Sequence, residues 1–260
     1  MKMHYSFDFA QQVYFPADPL QPGPIYFLTP RKCGLFHIGI CCEGIPQQIS
    51  YLIDEGRNVS KGSVSVINYP DHFFLNYGLG ETYLQLHCHN CSGQNKNRFM
   101  LYYLLWRTIH GLHATISLNF LITGHTKFAP DWCFGLIKQR YCCTKVNTLD
   151  EISEVVYESS AVKRVNRAQL VSKEDGTVLV KSYAWNNFWD DYFKPLVGIK
   201  SYQHFSFSSE NPGVVIARQF CDSKDSKTYQ LLQDVNNLPP RQCPTILNPP
   251  GLYAAQQNYL

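Results

Sequence analysis

The stretch His87-Cys88-His89-Asn90-Cys91-Ser92-Gly93-Gln94-Asn95-Lys96-Asn97 separates two very different segments. Before it runs Tyr83-Leu84-Gln85-Leu86, short and strand-like. After it, from Phe99, comes a long apolar run with helical character. A dense polar loop between a buried strand and a buried helix is where α/β proteins place their chemistry. This loop is rich in amides, carries one lysine and has no carboxylate.

Working outward, Phe99 to Leu112 is apolar almost all round, which predicts a helix buried on most sides, ended by Gly111 and His113. Ile116, Leu118, Phe120 and Ile122 alternate and predict a strand over Thr115 to Ile122. Pro130 then opens a helix over Asp131 to Tyr141, at the position where proline costs nothing. On the other side, Met3 to Phe9 predicts a strand with Asp8 near its end. Gln12 to Pro24, with four prolines and a glycine, predicts a loop. Ile25 to Leu28 and Leu35 to Ile40 predict two more strands, joined by a turn at Thr29 to Gly34. Ile45 to Glu55 leaves helix and strand open. Ser60 to Tyr77 has a helical pattern (Val64, Ile67, Phe74, Tyr77) that Pro70 should kink or break.

The order is three strands, helix, strand, helix, strand, helix. Three close strands form a meander. The later two need helical crossovers and should join as parallel neighbours. That order is the ribonuclease H-like one. The expectation is an α/β protein: a mixed five-stranded sheet flanked by helices over residues 3–146. A C-terminal α+β extension packed on this core follows over 147–235. It holds a short helix (Leu149 to Val156) and a hairpin over Gln169 to Tyr183 turning at Glu174-Asp175-Gly176. An aromatic stretch (Asn186 to Phe193) and a second hairpin over Tyr202 to Phe220 turning at Asn211-Pro212-Gly213 complete it. Residues 236–260 read as a proline-rich extended tail.

Composition agrees with a folded domain. Of 260 residues, 45% are hydrophobic and 14% aromatic, enough for a substantial core. Net charge is +3, mildly basic and compatible with a nucleic-acid partner without requiring one. The ten cysteines are scattered, with adjacent pairs at Cys41-Cys42 and Cys142-Cys143, unlike a small disulfide scaffold. The N-terminus has no apolar signal region, so reduced thiols in a nuclear or cytoplasmic, not secreted, protein are expected. No apolar run reaches the ~18 residues of a membrane helix, and no membrane partner is expected. Oligomeric state is not legible.

In a ribonuclease H-like nuclease, carboxylates on the first strand, after the fourth strand and on the last core helix hold two divalent ions. These ions clamp the attacking and leaving oxygens of a phosphodiester. Here the positions are Asp8, His89 and Asp131, with gaps of 81 and 42 residues that suit such a triad. Mg²⁺ wants oxygen ligands in octahedral geometry. Asp8 and Asp131 can supply them, whereas an imidazole at His89 removes a charge and offers nitrogen, which Mn²⁺ tolerates better. The bland readings stand beside these: Asp8 ending a strand, Asp131 complementing a helix dipole, His89 a structural residue. Asn90, Gln94, Asn95 and Asn97 suit either loop backbone or nucleic acid. Lys96, His125 and Lys127 suit either a phosphate or solvent. The aromatic stretch suits stacking on bases, or packing of the extension on the core. His87, His89 and Cys91 alternate and could share a zinc ion, yet the spacing matches no familiar finger, and zinc is not expected. Cys88 and Cys133 sit among apolar neighbours, a poor setting for a nucleophile. The chain has no Gly-x-Ser-x-Gly elbow and no Walker-type phosphate loop.

Three segments carry a resemblance: His4-Tyr5-Ser6-Phe7-Asp8-Phe9-Ala10-Gln11-Gln12, Asn90 to Asn97, and Gly124-His125-Thr126-Lys127-Phe128-Ala129-Pro130-Asp131. From about residue 3 to at least 220 the chain resembles an uncharacterised domain-of-unknown-function family. Its members are abundant in fish and invertebrate genomes and look transposon-derived. The resemblance implies an integrase-like catalytic core descended from a cut-and-paste transposase. In that family the loop usually has Asp where this chain has His89. The implied activity is therefore metal-dependent DNA cleavage and strand transfer in impaired form, or else a non-catalytic domain that binds nucleic acid or protein on the same fold. The chain begins at the first strand, so an upstream DNA-binding module is expected to be missing.

Overall fold

The computed structural model describes residues 1–21, 33–59, 62–122, 127–161, 165–173, 175–252 and 254. Its strands and helices, in chain order, begin with β1 (Lys2–Phe9), β2 (Val13–Phe15), β3 (Cys33–Cys42), β4 (Gln47–Asp54), α1 (Ser63–Asn76) and β5 (Tyr83–Cys88). Next come α2 (Arg98–Ile109), β6 (Thr115–Phe120), α3 (Ala129–Cys142), α4 (Leu149–Tyr157) and β7 (Asn166–Leu170). The C-terminal part holds β8 (Ser182–Tyr183), α5 (Trp185–Phe188), β9 (His204–Ser208), β10 (Val214–Arg218), β11 (Lys227–Gln230) and β12 (Ile246–Leu247). The expected strand at Ile25 to Leu28 lies outside the described residues. The ambiguous Ile45 to Glu55 segment resolves into strand β4.

The chain forms two compact units. The first comprises Met1–Phe7, Ser60–Thr126 and Ser182–Leu247; the second comprises Asp8–Val59, Lys127–Lys181 and Asn248–Leu260. Both are mixed α/β.

The first unit is built on a large mixed sheet in the order β11-β10-β9-β6-β5-β1, flanked by helices. β1, β5 and β6 are parallel; β9, β10 and β11 continue the sheet antiparallel from β6. The β9–β10 hairpin at Asn211-Pro212-Gly213 is the expected one. Gly213 has φ +78°, and a Cβ there would collide with the Leu232 side chain, so the turn requires glycine. Alternation sorts the faces. Leu84, Leu86 and Cys88 of β5, Ile116, Leu118 and Phe120 of β6, and Phe205 and Phe207 of β9 are buried. The residues between them are polar and half-buried.

Helix α2 buries Met100 through Thr108 without a break and packs on β6, β9 and α1. α1 runs unbroken through Pro70, so the proline does not break the helix. Proline in a helix interior costs about 3 kcal/mol. Here α1 buries Val66, Ile67, Tyr69 and Phe73, each contributing roughly 1.5–3 kcal/mol, and Phe73 meets the Tyr5 ring edge-on. Tertiary burial outweighs the local penalty.

The aromatic segment closes on this helix pair. Trp185 stacks on Trp189 (centroids 5.2 Å apart, planes at 8°), Phe193 stacks on Tyr102, and Trp185 meets Tyr103 and Trp106 edge-on. Trp185 and Trp189 are fully buried. The cluster is thus packing, not an exposed stacking platform. The proline-rich tail is engaged as well: Trp106 Nε1 donates to the Pro240 carbonyl at 2.8 Å, and β12 pairs with β8.

That last pairing corrects the first expected hairpin. The chain does reverse at the expected turn, where the Lys173 N–H donates to the Thr177 carbonyl, the Leu179 and Val180 N–H groups donate to the Val171 carbonyl, and Ser172 bridges Val178; but β7 lies parallel to β4 in the second unit and does not pair with β8. The reason is α4. Leu149, Ile152, Val155 and Val156 bury one side of this helix in a cluster with Leu52 and Ile137, against Ala168 and Leu170. Burial of that face sets β7 against β4, and the turn after it reverses the chain without pairing β7 to β8.

The second unit's sheet runs β7-β4-β3-β2, with β2, β3 and β4 antiparallel. His37 of β3 is 4% exposed, edge-on to Phe134, and its Nε2 has no hydrogen-bond partner among the described residues. Burial pushes its pKa down to about 4. The folded protein therefore holds the neutral ring while the unfolded chain takes up a proton below about 6.5. Stability contributed by this residue is complete above that value and is lost as pH falls towards 4, by about 3 kcal/mol in all. Urea denaturation of wild type and His37→Phe at pH 7 and pH 4.5 checks it. The wild type is expected to lose the larger share of its stability, and equal losses would sink the assignment.

None of the nine cysteines with described side chains forms a disulfide. No helix among the described residues is long and apolar enough to cross a membrane.

Candidate functional site

The loop after β5 is built by its own amides. The Cys91 carbonyl accepts the backbone N–H groups of Asn95 (2.8 Å) and Lys96 (2.9 Å). Asn95 Nδ2 donates to the His89 carbonyl at 3.1 Å, and Asn97 Nδ2 to the Gln94 carbonyl at 2.8 Å. Asn97 Oδ1 accepts from the N–H groups of Phe99 and Met100 and so caps α2, a contribution of about 0.5–2 kcal/mol. Asn90 Nδ2 donates to Gln203 Oε1 at 3.1 Å. Asn95 is fully buried, and its Oδ1 has no hydrogen-bond partner among the described residues.

Lys96 is 3% exposed, so it is neither a solvated lysine nor a free cation at the surface. Its ammonium donates to the Lys200 carbonyl (3.2 Å) and to Gln203 Oε1 (3.0 Å), and lies 5.2 Å from the Phe120 ring centroid. Burial lowers its pKa, opposed by the neighbouring Cys88. Cys88 and Cys91 stand at a Cys-x-x-Cys spacing. Cys88 is fully buried and Cys91 half-buried.

Of the expected site residues, His89, Asn90, Gln94, Asn95, Lys96 and Asn97 belong to the first unit; Asp8, Lys127 and Asp131 belong to the second. His125 lies outside the described residues. Asp8 is half-buried, and its Oδ1 accepts the Phe9 N–H at 2.8 Å. Asp131 sits in the first turn of α3, where Oδ2 accepts the Phe128 N–H at 3.1 Å, closing the helix start. Asp131 also lines a cavity of about 530 Å³ in the second unit with Phe9, His37, Lys138 and Tyr141. Lys127 is exposed.

A two-magnesium centre does not fit these residues. Among the described residues no three His, Cys, Asp or Glu side chains are grouped so as to hold an ion. Asp131 spends one oxygen on its helix cap, and His89 offers nitrogen where Mg²⁺ prefers oxygen.

Reading single segments missed the polar face of the first unit's sheet. Register places Ser6, His87, Asn119, His204 and Arg218 in one row across five strands. His204 Nδ1 and Asn119 Oδ1 are 2.8 Å apart, and Asn119 Nδ2 donates to the Leu86 carbonyl. Burial, then Arg218 and Lys96, lower the His204 pKa. The signal was present as alternate polar residues in β1, β5, β6 and β9, but only the strand register brings them into one row.

No curated protein and no solved structure matches the chain. A family model matches residues 51–224, more than half its length. The chain belongs to the family described as Domain of unknown function (DUF7869).

Proposed function

We propose that this chain is a ribonuclease H-like domain of transposase descent whose metal-dependent DNA cleavage is impaired. One observation carries the reading. In the first unit, β5, α2 and β6 form a parallel crossover with β1 parallel to β5, and His89 follows directly on the end of β5, where a cleaving relative would have a carboxylate. The antiparallel β3 and β4, and the helices before β5 and after β6, follow the same element order. The poor fit of the donor set to Mg²⁺ supports impairment.

A second reading, a binding domain that keeps the fold without cleavage, is favoured by the cross-strand row of His87, Asn119, His204 and Arg218, which contains no carboxylate. Nicking of labelled DNA in Mg²⁺ and in Mn²⁺, by wild type and His89→Asp, separates the two. The expected result is intact DNA with the wild type and Mn²⁺-dependent nicks with His89→Asp. Nicking by the wild type would overturn impairment. Intact DNA with both proteins, together with binding that weakens steeply with salt, would replace the first reading by the second.

A further inference from the structure

His4 and His87 stand on adjacent parallel strands. The register pairs His4 with Gln85 and Ser6 with His87, so both imidazoles project from the same face as diagonal neighbours. His4 Nε2 lies 2.5 Å from His87 Nδ1, and the ring centroids are 4.3 Å apart at 55°. Both rings are half-buried. At that separation the two ring nitrogens face each other across a single hydrogen bond.

We propose that this pair is a binding site for a borderline divalent transition ion, Cu²⁺ first and Zn²⁺ next. Imidazole suits these ions, and the affinity order of divalent metals at nitrogen sites peaks at copper. Metal–nitrogen bonds of about 2.0–2.1 Å at a tetrahedral angle need the two nitrogens roughly 3.3 Å apart, so the rings open by less than about 1 Å as the ion takes the place of the hydrogen bond between them. No third His, Cys, Asp or Glu of the described residues completes the group. Water fills the remaining positions, so the site is weaker than a four-ligand structural zinc centre. The ion here differs from the hard cation of a nuclease centre in both chemistry and ligands. The site stands independently of the cleavage reading, and its test contains no DNA.

The experiment is a Cu²⁺ titration of the full chain followed by electron paramagnetic resonance, with Zn²⁺ competing for the bound copper. The wild type should show one ion with superhyperfine splitting from two nitrogens, and Zn²⁺ should displace it. His4→Ala and His87→Ala should each weaken binding by at least about tenfold, since even partners outside the coordination sphere cost that much, and should leave one nitrogen in the spectrum. His4→Gln, with circular dichroism matching the wild type, keeps the test valid if an alanine variant misfolds. Unchanged affinity in the histidine variants would overturn the proposal. So would a sulfur-to-metal charge-transfer band on Co²⁺ binding, which would place the ion on Cys88 and Cys91.

Discussion

Arg107→Ala is expected to lower stability by about 3–5 kcal/mol, the cost of stranding a buried charge. Arg107 is 5% exposed and Asp71 is 3% exposed. The guanidinium Nη1 reaches Asp71 Oδ1 at 3.3 Å and the Tyr103 hydroxyl at 2.9 Å, and Nε reaches His113 Nδ1 at 3.2 Å. Tyr103 in turn donates to Asp71 at 3.0 Å, and His113 lies 4.0 Å from Glu81. The network ties α1 to α2 and to the segments before β5 and β6. Burial already raises the Asp71 pKa, opposed by Arg107 and the Tyr103 hydroxyl.

Without Arg107 that opposition weakens and the folded-state pKa rises further. A carboxyl raised in the folded state contributes stability below its unfolded pKa and loses it as pH climbs through the folded value. The variant should therefore lose more stability relative to wild type at pH 7 than at pH 4. Adding Asp71→Asn should recover part of the loss, because it removes the stranded charge. Urea denaturation of the three proteins at both pH values reads this out. A cost below about 1 kcal/mol for Arg107→Ala, as expected of a surface pair, would show that the network is not a desolvated one.

Trp185→Ala is expected to cost a similar amount, about 3–5 kcal/mol for an aromatic core truncation. Trp185 is fully buried, stacked on Trp189 and edge-on to Tyr103, Trp106 and Phe188. Its Nε1 donates to Asn68 Oδ1 at 2.8 Å, an oxygen that also accepts the Tyr183 N–H at 3.1 Å. Truncation therefore opens a cavity and removes one hydrogen bond from α1. Trp185→Phe keeps most of the ring volume and should lose less than half as much. Trp132, 55% exposed on α3, provides the contrast: its alanine variant should stay within about 0.5 kcal/mol of wild type. Thermal or urea melts that found Trp185→Ala as mild as Trp132→Ala would rule out the aromatic cluster as core.

Short-range patterns in the sequence determined much of the architecture. Alternation marked β6, and short strand-like runs marked β1 and β5. All-round hydrophobicity marked α2, Pro130 marked the start of α3, and Asn-Pro-Gly marked the β9–β10 turn. These elements follow from backbone periodicity and turn chemistry, which act over a few residues. Where local and long-range terms compete, tertiary burial decided. It carried α1 through Pro70 and set β7 against β4. It also turned Trp185 and Trp189 into core and drew Lys96 away from solvent onto Gln203 and the Lys200 carbonyl. The same holds for candidate chemistry. The sequence singled out the loop from His87 to Asn97 because its composition is unusual. The pairing of His4 with His87, and the row from Ser6 to Arg218, needed strand register, because residues distant in the chain become neighbours only when strands align through hydrogen bonds that no local pattern encodes.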